Sequence, residues 1–392
     1  MKPRADTRIA LRMADIQPFH VMALLARARE LEAQGRSIIH MEIGEPDFPT
    51  PQPVIAAGIE AIKHGDIHYT QTTGLPQLRE AIAGFYWQRH GLKISPARII
   101  VTPGASGALL LALGVLINPG DKVLMNDPGY PCNRHFVRLL EGIPVGMGTD
   151  AATSYQLTGE HIARHWDHAT VATMIATPAN PTGTLMQEKD VRAIVEQTHA
   201  HGGRLIADEI YHGLVYQDAA VSALKFSDEV FVINSFSKYF GMTGWRLGWL
   251  VAPEIYINAA DKLAQNIFLA ASTPAQYAAL AAFAPETIAI LEQRRAEFQR
   301  RRDVLLPALR ELGFGVPVMP QGAFYVYADC SRFTQDSYGF AQQILEQAGV
   351  ALTPGIDFGS HRAAQHVRFA YTTSLENIGE GVRRLEKFLK KC

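Results

Sequence analysis

Between about residues 75 and 250 the chain alternates short apolar, β-branched runs with stretches of helical character. The runs are IIVT (99–102), KVLMN (122–126), VATMIAT (171–177), RLIAD (204–208), VFVIN (230–234) and RLGWLVA (246–252). Helices are predicted near 106–117, 132–141 and 187–201. No other feature constrains the fold as tightly, because successive strand–helix units build an α/β domain around a mostly parallel sheet. In such sheets ligands bind beyond the carboxyl ends of the strands. Five of the runs carry candidate ligands there. Gly104, Ala105 and Ser106 follow IIVT, Asp127 and Tyr130 follow KVLMN, and Asn180 follows VATMIAT. Asp208 and Tyr211 close RLIAD, and Ser235 and Lys238 follow VFVIN. One such coincidence means little; five in succession predict a site.

The rest of the chain reads as a second, smaller α/β unit. After Pro285 a charged helical stretch begins, followed by GAFYVYAD (322–329), a helix near 338–348 and VRFAYTT (367–373). Helix 20–34 and the strand IIHMEIG (38–44) are expected to join this unit. The expected division is an N-terminal arm over 1–48, a large domain over 49–285 and a small domain over 286–392. A chain of 392 residues is long enough to need more than one core.

Composition excludes several classes. A net charge of −1 gives no electrostatic case for nucleic acid or an anionic membrane. Cys132, Cys330 and Cys392 form no CxxC and no disulfide framework, which fits a reducing, cytoplasmic setting. The N-terminal MKPRADTRIALRMADIQPF has no apolar signal core. ALLLALGVLI (108–117) is too short to span a bilayer, and 263–285 is broken by polar residues and Pro274. PGASGAL lacks the GxGxxG spacing of a nicotinamide dehydrogenase. The arm before residue 38 is too short for a DNA-binding module. His161, His165 and His168 read as a solvated helix face, so no metal is expected.

Lys238 carries the chemistry. A lysine closing a buried strand costs free energy unless it is paired or covalently used. Its surroundings, SFSKYFGMTGWRLGW (235–249), supply hydroxyls and an arginine. A phosphorylated pyridine aldehyde would use the whole constellation. Lys238 would form the Schiff base and then shuttle a proton. Asp208 would keep the ring nitrogen protonated, Asn180 and Tyr211 would face the ring oxygen, and Tyr130 would pack on the ring. Gly104, Ala105 and Ser106 at a helix start, with Ser235, Ser237 and Arg246, would hold the phosphate. Trp245 would buttress that pocket. Arg368 would clamp a substrate α-carboxylate.

The chain resembles the fold type I, pyridoxal-phosphate-dependent aminotransferases of class I and II, the group of aspartate aminotransferase, over about residues 20–390. The resemblance rests on IGEPDFPTP (43–51), YTQTTGLPQLREAIA (69–83), PGASGAL (103–109), DPGYP (127–131), NPTG (180–183), ADEIYHGLVY (207–216), the lysine segment, GAFY (322–325), PGIDFG (354–359) and VRFAYTTS (367–374). It implies a seven-stranded sheet and ping-pong transfer of an amino group from an L-amino acid to a 2-oxo acid. It implies an obligate homodimer in which Tyr69 reaches the partner's cofactor phosphate. It also places Gly44 and Asn180 beside the substrate carboxylate. Many dicarboxylate-specific relatives carry a lysine where Ser106 stands, so a dicarboxylate substrate is not implied. A side-chain lyase on the same fold, C–S cleaving or other, is the competing expectation. A non-catalytic regulatory protein of this fold is the remote one.

Overall fold

A computed structural model describes residues 9–65, 67–217 and 219–391; the N-terminal residues 1–8 and Cys392 lie outside the described residues. The strands are β1 (Ile39–His40), β2 (Ile99–Thr102), β3 (Lys122–Asp127), β4 (Ile143–Gly148), β5 (Thr170–Ala176) and β6 (Arg204–Asp208). They continue as β7 (Phe231–Ser235), β8 (Gly248–Val251), β9 (Tyr325–Asp329), β10 (Val350–Ala351), β11 (Thr353–Pro354) and β12 (His366–Ala370). Seven of them form one sheet in the order β2-β8-β7-β6-β5-β3-β4. β3 to β7 run parallel, and β8 runs antiparallel between β7 and β2. The mostly parallel α/β sheet expected from the alternation is therefore present.

Helices cover both faces of this sheet, which is why its strands read as continuous apolar runs. Every residue of β2, β7 and β8 is buried. Val123, Met125, Met174, Ile206, Phe231 and Ile233 share a core with the leucines of helix Gly104–Gly114. Leu124, Ile175, Leu205 and Val232, one residue out of phase, belong to the core on the other face.

Two elements of the large sheet depart from the sequence reading, and outside it the strand expected over 38–44 is reduced to Ile39–His40. β4 was not among the apolar runs, because IPVGMG holds Pro144 and two glycines and is largely solvent-facing. It lies at the edge of the sheet, the one place where a strand tolerates proline without losing a ladder bond. The last strand begins at Gly248 rather than at Arg246. Arg246 adopts φ +54, ending the short 3-10 turn Thr243–Trp245 in the left-handed region.

A second sheet orders β11-β12-β9 antiparallel, and β1 of the arm pairs in parallel with β10. The helix Pro285–Glu311, 27 residues long, precedes β9 to β12. The two sheets meet at the carboxyl end of β3. There the Asp127 carboxylate accepts hydrogen bonds from Ser360 N and Oγ (both 2.9 Å) and from His361 N (3.2 Å). Gly129 N donates to Phe358 O at 2.8 Å.

The start of β8 is closed in by backbone on three sides. A Cβ on Gly248 would lie 2.7 Å from Gly104 C, 2.8 Å from Ala105 N and 2.8 Å from Asn234 O. All three are backbone atoms and cannot rotate away. Gly248→Ala should cost about 1–3 kcal/mol through overpacking, seen as a lower denaturant midpoint at unchanged slope. An unaltered midpoint would show that the helix start is free to move.

Candidate active site

Of the residues singled out in the sequence, Gly44, Ala105, Ser106, Tyr130, Asn180, Asp208, Tyr211, Ser235, Ser237, Lys238, Arg246 and Arg368 line one cavity. It opens at the carboxyl ends of β5, β6 and β7, and β12 contributes Arg368 from the other sheet.

One end of the cavity is built for a dianion. Helix Gly104–Gly114 points its N-terminus there, leaving backbone N–H groups without helical partners. Gly104 does not line the wall, but it lets the arginine approach: a Cβ there would sit 2.6 Å from Arg246 Nη2. Arg246 Nη1 donates to Thr243 O at 3.0 Å and reaches Ser237 Oγ at 3.4 Å. Ser235 Oγ donates to Ser237 Oγ at 2.9 Å, so the two hydroxyls form one polar surface.

Lys238 Nζ donates to Gly44 O at 2.7 Å. Burial pushes its pKa down to about 8; Glu45 and Asp208 oppose that shift, while Arg368 and Arg246 add to it. The amine is therefore far closer to neutrality at physiological pH than an ordinary lysine, as a nucleophile and base requires. Asp208 closes β6 and is buried. Burial pushes its carboxyl up to about 6, against the Ile210 N–H (3.1 Å to Oδ1) and the Lys238 charge. A cationic ring nitrogen beside it would restore its ionised form.

Tyr211 OH and Tyr325 OH are 2.8 Å apart, and burial holds Tyr211 well above the usual phenol range. Tyr130 is likewise raised by burial, with Cys132 beside it. Arg368 is 3% exposed. It donates to Asn180 Oδ1 (2.9 Å), Glu42 O (2.5 Å) and Thr353 Oγ1 (3.1 Å). Its guanidinium packs over Tyr325 and Phe358, 4.3 and 4.9 Å from the ring centroids. Those three acceptors are neutral oxygens, so a buried positive charge awaits an anion.

Some residues fall elsewhere than the sequence suggested. Tyr69 is 84% exposed and does not line the cavity of its own chain. Trp245 turns away from the phosphate end: its Nε1 donates to Thr50 Oγ1 at 3.0 Å and its ring covers Gly58. His165 and His168 are exposed, His168 beyond the end of helix Gly159–His165, whereas His161 is half-buried and its Nδ1 accepts from Thr158 N at 3.3 Å, closing a capping box. Among the described residues no group of three acidic, histidine or cysteine side chains could hold a metal. Reading the sequence missed the role of Tyr325. The packing of that side chain accounts for Gly44, where a Cβ would stand 1.9 Å from the Tyr325 hydroxyl. Reading the sequence also missed Phe19, Val21, Met22 and Glu42, which are part of the wall together with Ile43, Leu109, Ala176, Ile210 and Thr243.

The model of the family described as aminotransferase class I and II matches residues 36–385. The chain belongs to the class I and II aminotransferases. A valine–pyruvate aminotransferase of Mycobacterium tuberculosis is 39% identical over 97% of this chain and 98% of its own length. A (5-formylfuran-3-yl)methyl phosphate transaminase of Methanocaldococcus jannaschii is 39% identical over 98% of this chain and 100% of its own. The crystal structure of an aminotransferase from Mycobacterium tuberculosis superposes with a TM-score of 0.95 at 38% identity, covering 99% of this chain and 100% of that one. This aminotransferase uses pyridoxal 5'-phosphate. Its residues fit that group: an anion cradle at Gly104 and Arg246, an uncompensated buried carboxylate at Asp208 and a depressed amine at Lys238.

Glu209 follows Asp208 but faces the opposite side of the strand, accepting from Ser222 Oγ (3.0 Å) and Ala223 N (2.8 Å). Burial pushes its carboxyl up to about 8. A raised folded-state pKa favours folding below the unfolded value, and that contribution is lost as pH rises toward about 8. Glu209→Gln should therefore flatten the decline in stability between pH 5 and pH 8. Denaturation curves with parallel pH slopes for both proteins would refute this.

Proposed function

We propose that Lys238 and Arg368 are the two groups on which amino transfer turns. When bound, pyridoxal 5'-phosphate supplies the carbonyl carbon that takes the amino group and a ring that accepts electrons. Lys238 would hold the cofactor between turnovers and would then carry a proton, on Nζ, from the substrate α-carbon to the carbon that has taken the amino group, returning it in the second half of the cycle. Asp208 keeps a proton on the ring nitrogen. Tyr211 and Asn180 hold the ring oxygen, and Tyr130 packs against the ring face. Gly104, Ala105, Ser106, Ser235, Ser237 and Arg246 bind the phosphate. Arg368, with Asn180 and Gly44, binds the α-carboxylate of an L-amino acid and, in the second half of the ping-pong cycle, of a 2-oxo acid. The observation that carries this reading is a depressed amine and an arginine without an anionic partner facing one cavity.

The functional unit we propose is a homodimer in which Tyr69 enters the partner's site. Tyr69 is exposed in company with Ile62 (59%), Ile67 (50%) and Leu269 (52%). Their segments are joined by the bond from Thr273 Oγ1 to His68 O at 2.6 Å. An apolar patch of this kind suits a second copy of the chain. The proposed division remains an arm to residue 48, a large domain to 285 and a small domain beyond. No helix of the described residues is long and apolar enough to cross a membrane. A cytoplasmic setting is our reading of the unpaired cysteines.

Lys238→Ala should remove transamination, by several orders of magnitude, from a protein that still folds, monitored by 2-oxo acid formation and circular dichroism. Turnover near the original rate would sink the assignment. Arg368→Ala should raise KM for every amino acid by roughly 100-fold or more, because it removes a charge-assisted clamp. An unchanged KM would move the carboxylate site elsewhere.

A further inference from the structure

Once the residues for cofactor and α-carboxylate are set aside, the remaining wall includes Leu109 of helix Gly104–Gly114, Ala176, Ile210 and Tyr325 from the strand ends and a loop, and an apolar stretch from the N-terminal arm and the segment after β1. Phe19, Val21, Met22 and Ile43 form that stretch. The arm is fastened rather than laid over the opening. Asp357, 2% exposed, accepts from His20 N and Val21 N, both at 2.9 Å, and meets His20 Nδ1 at 2.8 Å. Its carboxylate thus closes the start of helix His20–Ala33 and fixes Phe19 and Val21 on either side of His20. The next residue, Phe358, packs against Arg368. Consecutive residues of one loop therefore set both the carboxylate clamp and the wall beside it.

The charges of that wall point one way. Among this chain's own described residues, apart from whatever a partner subunit adds, the cations lining the cavity are Lys238, Arg246 and Arg368, and each already has a role. Glu42 also lines the cavity; its Oε1 meets His40 Nδ1 at 2.7 Å and its Oε2 has no hydrogen-bond partner. Glu45 lies close enough to act on Lys238 by charge. A distal carboxylate would lose its water against Phe19, Val21 and Ile43 and find no unassigned cation of this chain, while the Glu42 charge is met by His40, whose imidazole Glu42 holds up to about 9. An aliphatic or aromatic side chain would gain by burial on the same surface.

We infer that the amino donor carries an apolar side chain, and that the arm held by Asp357 is the element that selects it. This rests on the aminotransferase reading above. The test loads the full-length protein with pyridoxal phosphate and adds L-valine, L-leucine, L-phenylalanine, L-aspartate, L-glutamate or L-lysine singly, without acceptor. Loss of the visible absorbance of the bound cofactor is followed. At least one apolar donor should exceed aspartate, glutamate and lysine by about 100-fold in kcat/KM. Aspartate, glutamate or lysine equal to the best apolar donor would overturn the inference and leave the aminotransferase reading standing. No conversion by any donor would overturn both. Binding gives a readout independent of turnover. Calorimetry on the loaded protein should find 3-methylbutanoate, which cannot react, bound more tightly than succinate; the reverse order would also overturn the inference. Val21→Arg should lower the preference for apolar donors over aspartate by 10-fold or more, and an unchanged ratio would remove the arm from the selection. Should that variant fail to fold, the donor panel and the two carboxylates still decide.

Discussion

Everything in this site depends on an excess of positive charge gathered at one cavity, with Arg368 buried and Arg246 at its exposed end. Lys238, Arg246 and Arg368 face one cavity, and Asp208 is the acid at the strand end beside them. Each cation meets mostly neutral oxygens: Gly44 O for the lysine, Thr243 O and Ser237 Oγ for one arginine, and Asn180, Glu42 O and Thr353 for the other. Burying Arg368 and the Lys238 amine so incompletely paired is costly. The cost is offset when anions arrive, which is the electrostatic basis for taking up a phosphate and a carboxylate together. The same repulsion is part of why the lysine amine sits near pH 8, with burial the larger cause. Anion binding and amine activation are thus two results of one charge distribution.

Backbone geometry makes that distribution possible. The cations can converge because glycine lets main chains and side chains approach where a Cβ would intrude. Gly104 admits the Arg246 guanidinium, and Gly44 admits the Tyr325 hydroxyl that pairs with Tyr211. The parallel strands deliver Asp208 and Ser235 to one edge of the sheet, and their loops deliver Asn180 and Lys238. β12 brings Arg368 from a different sheet. The clamp therefore exists only while the two sheets keep their relation, which the Asp127 bonds to Ser360 and His361 help to maintain.

The residues near the large sheet were legible because strand ends are a local signal. An apolar run followed by a polar residue places that residue at a ligand-binding edge without any long-range knowledge. Edge strand β4 was not legible, since an edge needs little hydrophobicity and IPVGMG has little. Trp245 lies immediately before Arg246, yet the left-handed turn at Arg246 sends the two side chains in different directions. Phe19, Val21 and Met22 were invisible as wall residues for another reason. They reach the cavity through contacts spanning more than 300 residues of sequence, made by one aspartate in a loop. No periodicity encodes such a contact.

Two aspartates of similar burial show how far sequence position misleads. Asp127 closes β3 as Asp208 closes β6, and both strand ends were equally suggestive. Asp127 spends its carboxylate on three donors from the 360–361 turn, so its charge is satisfied within the chain. Asp208 has the Ile210 N–H, and burial leaves its carboxyl raised. The second is the acid with capacity left for a cationic partner. What separates a structural acid from a functional one here is the number of donors already engaged, a quantity set by loops distant in sequence. Asp357 extends the rule, because its two oxygens are consumed by the arm. Its effect on the site is exerted through what it holds in place, the side chains against which a substrate must lie.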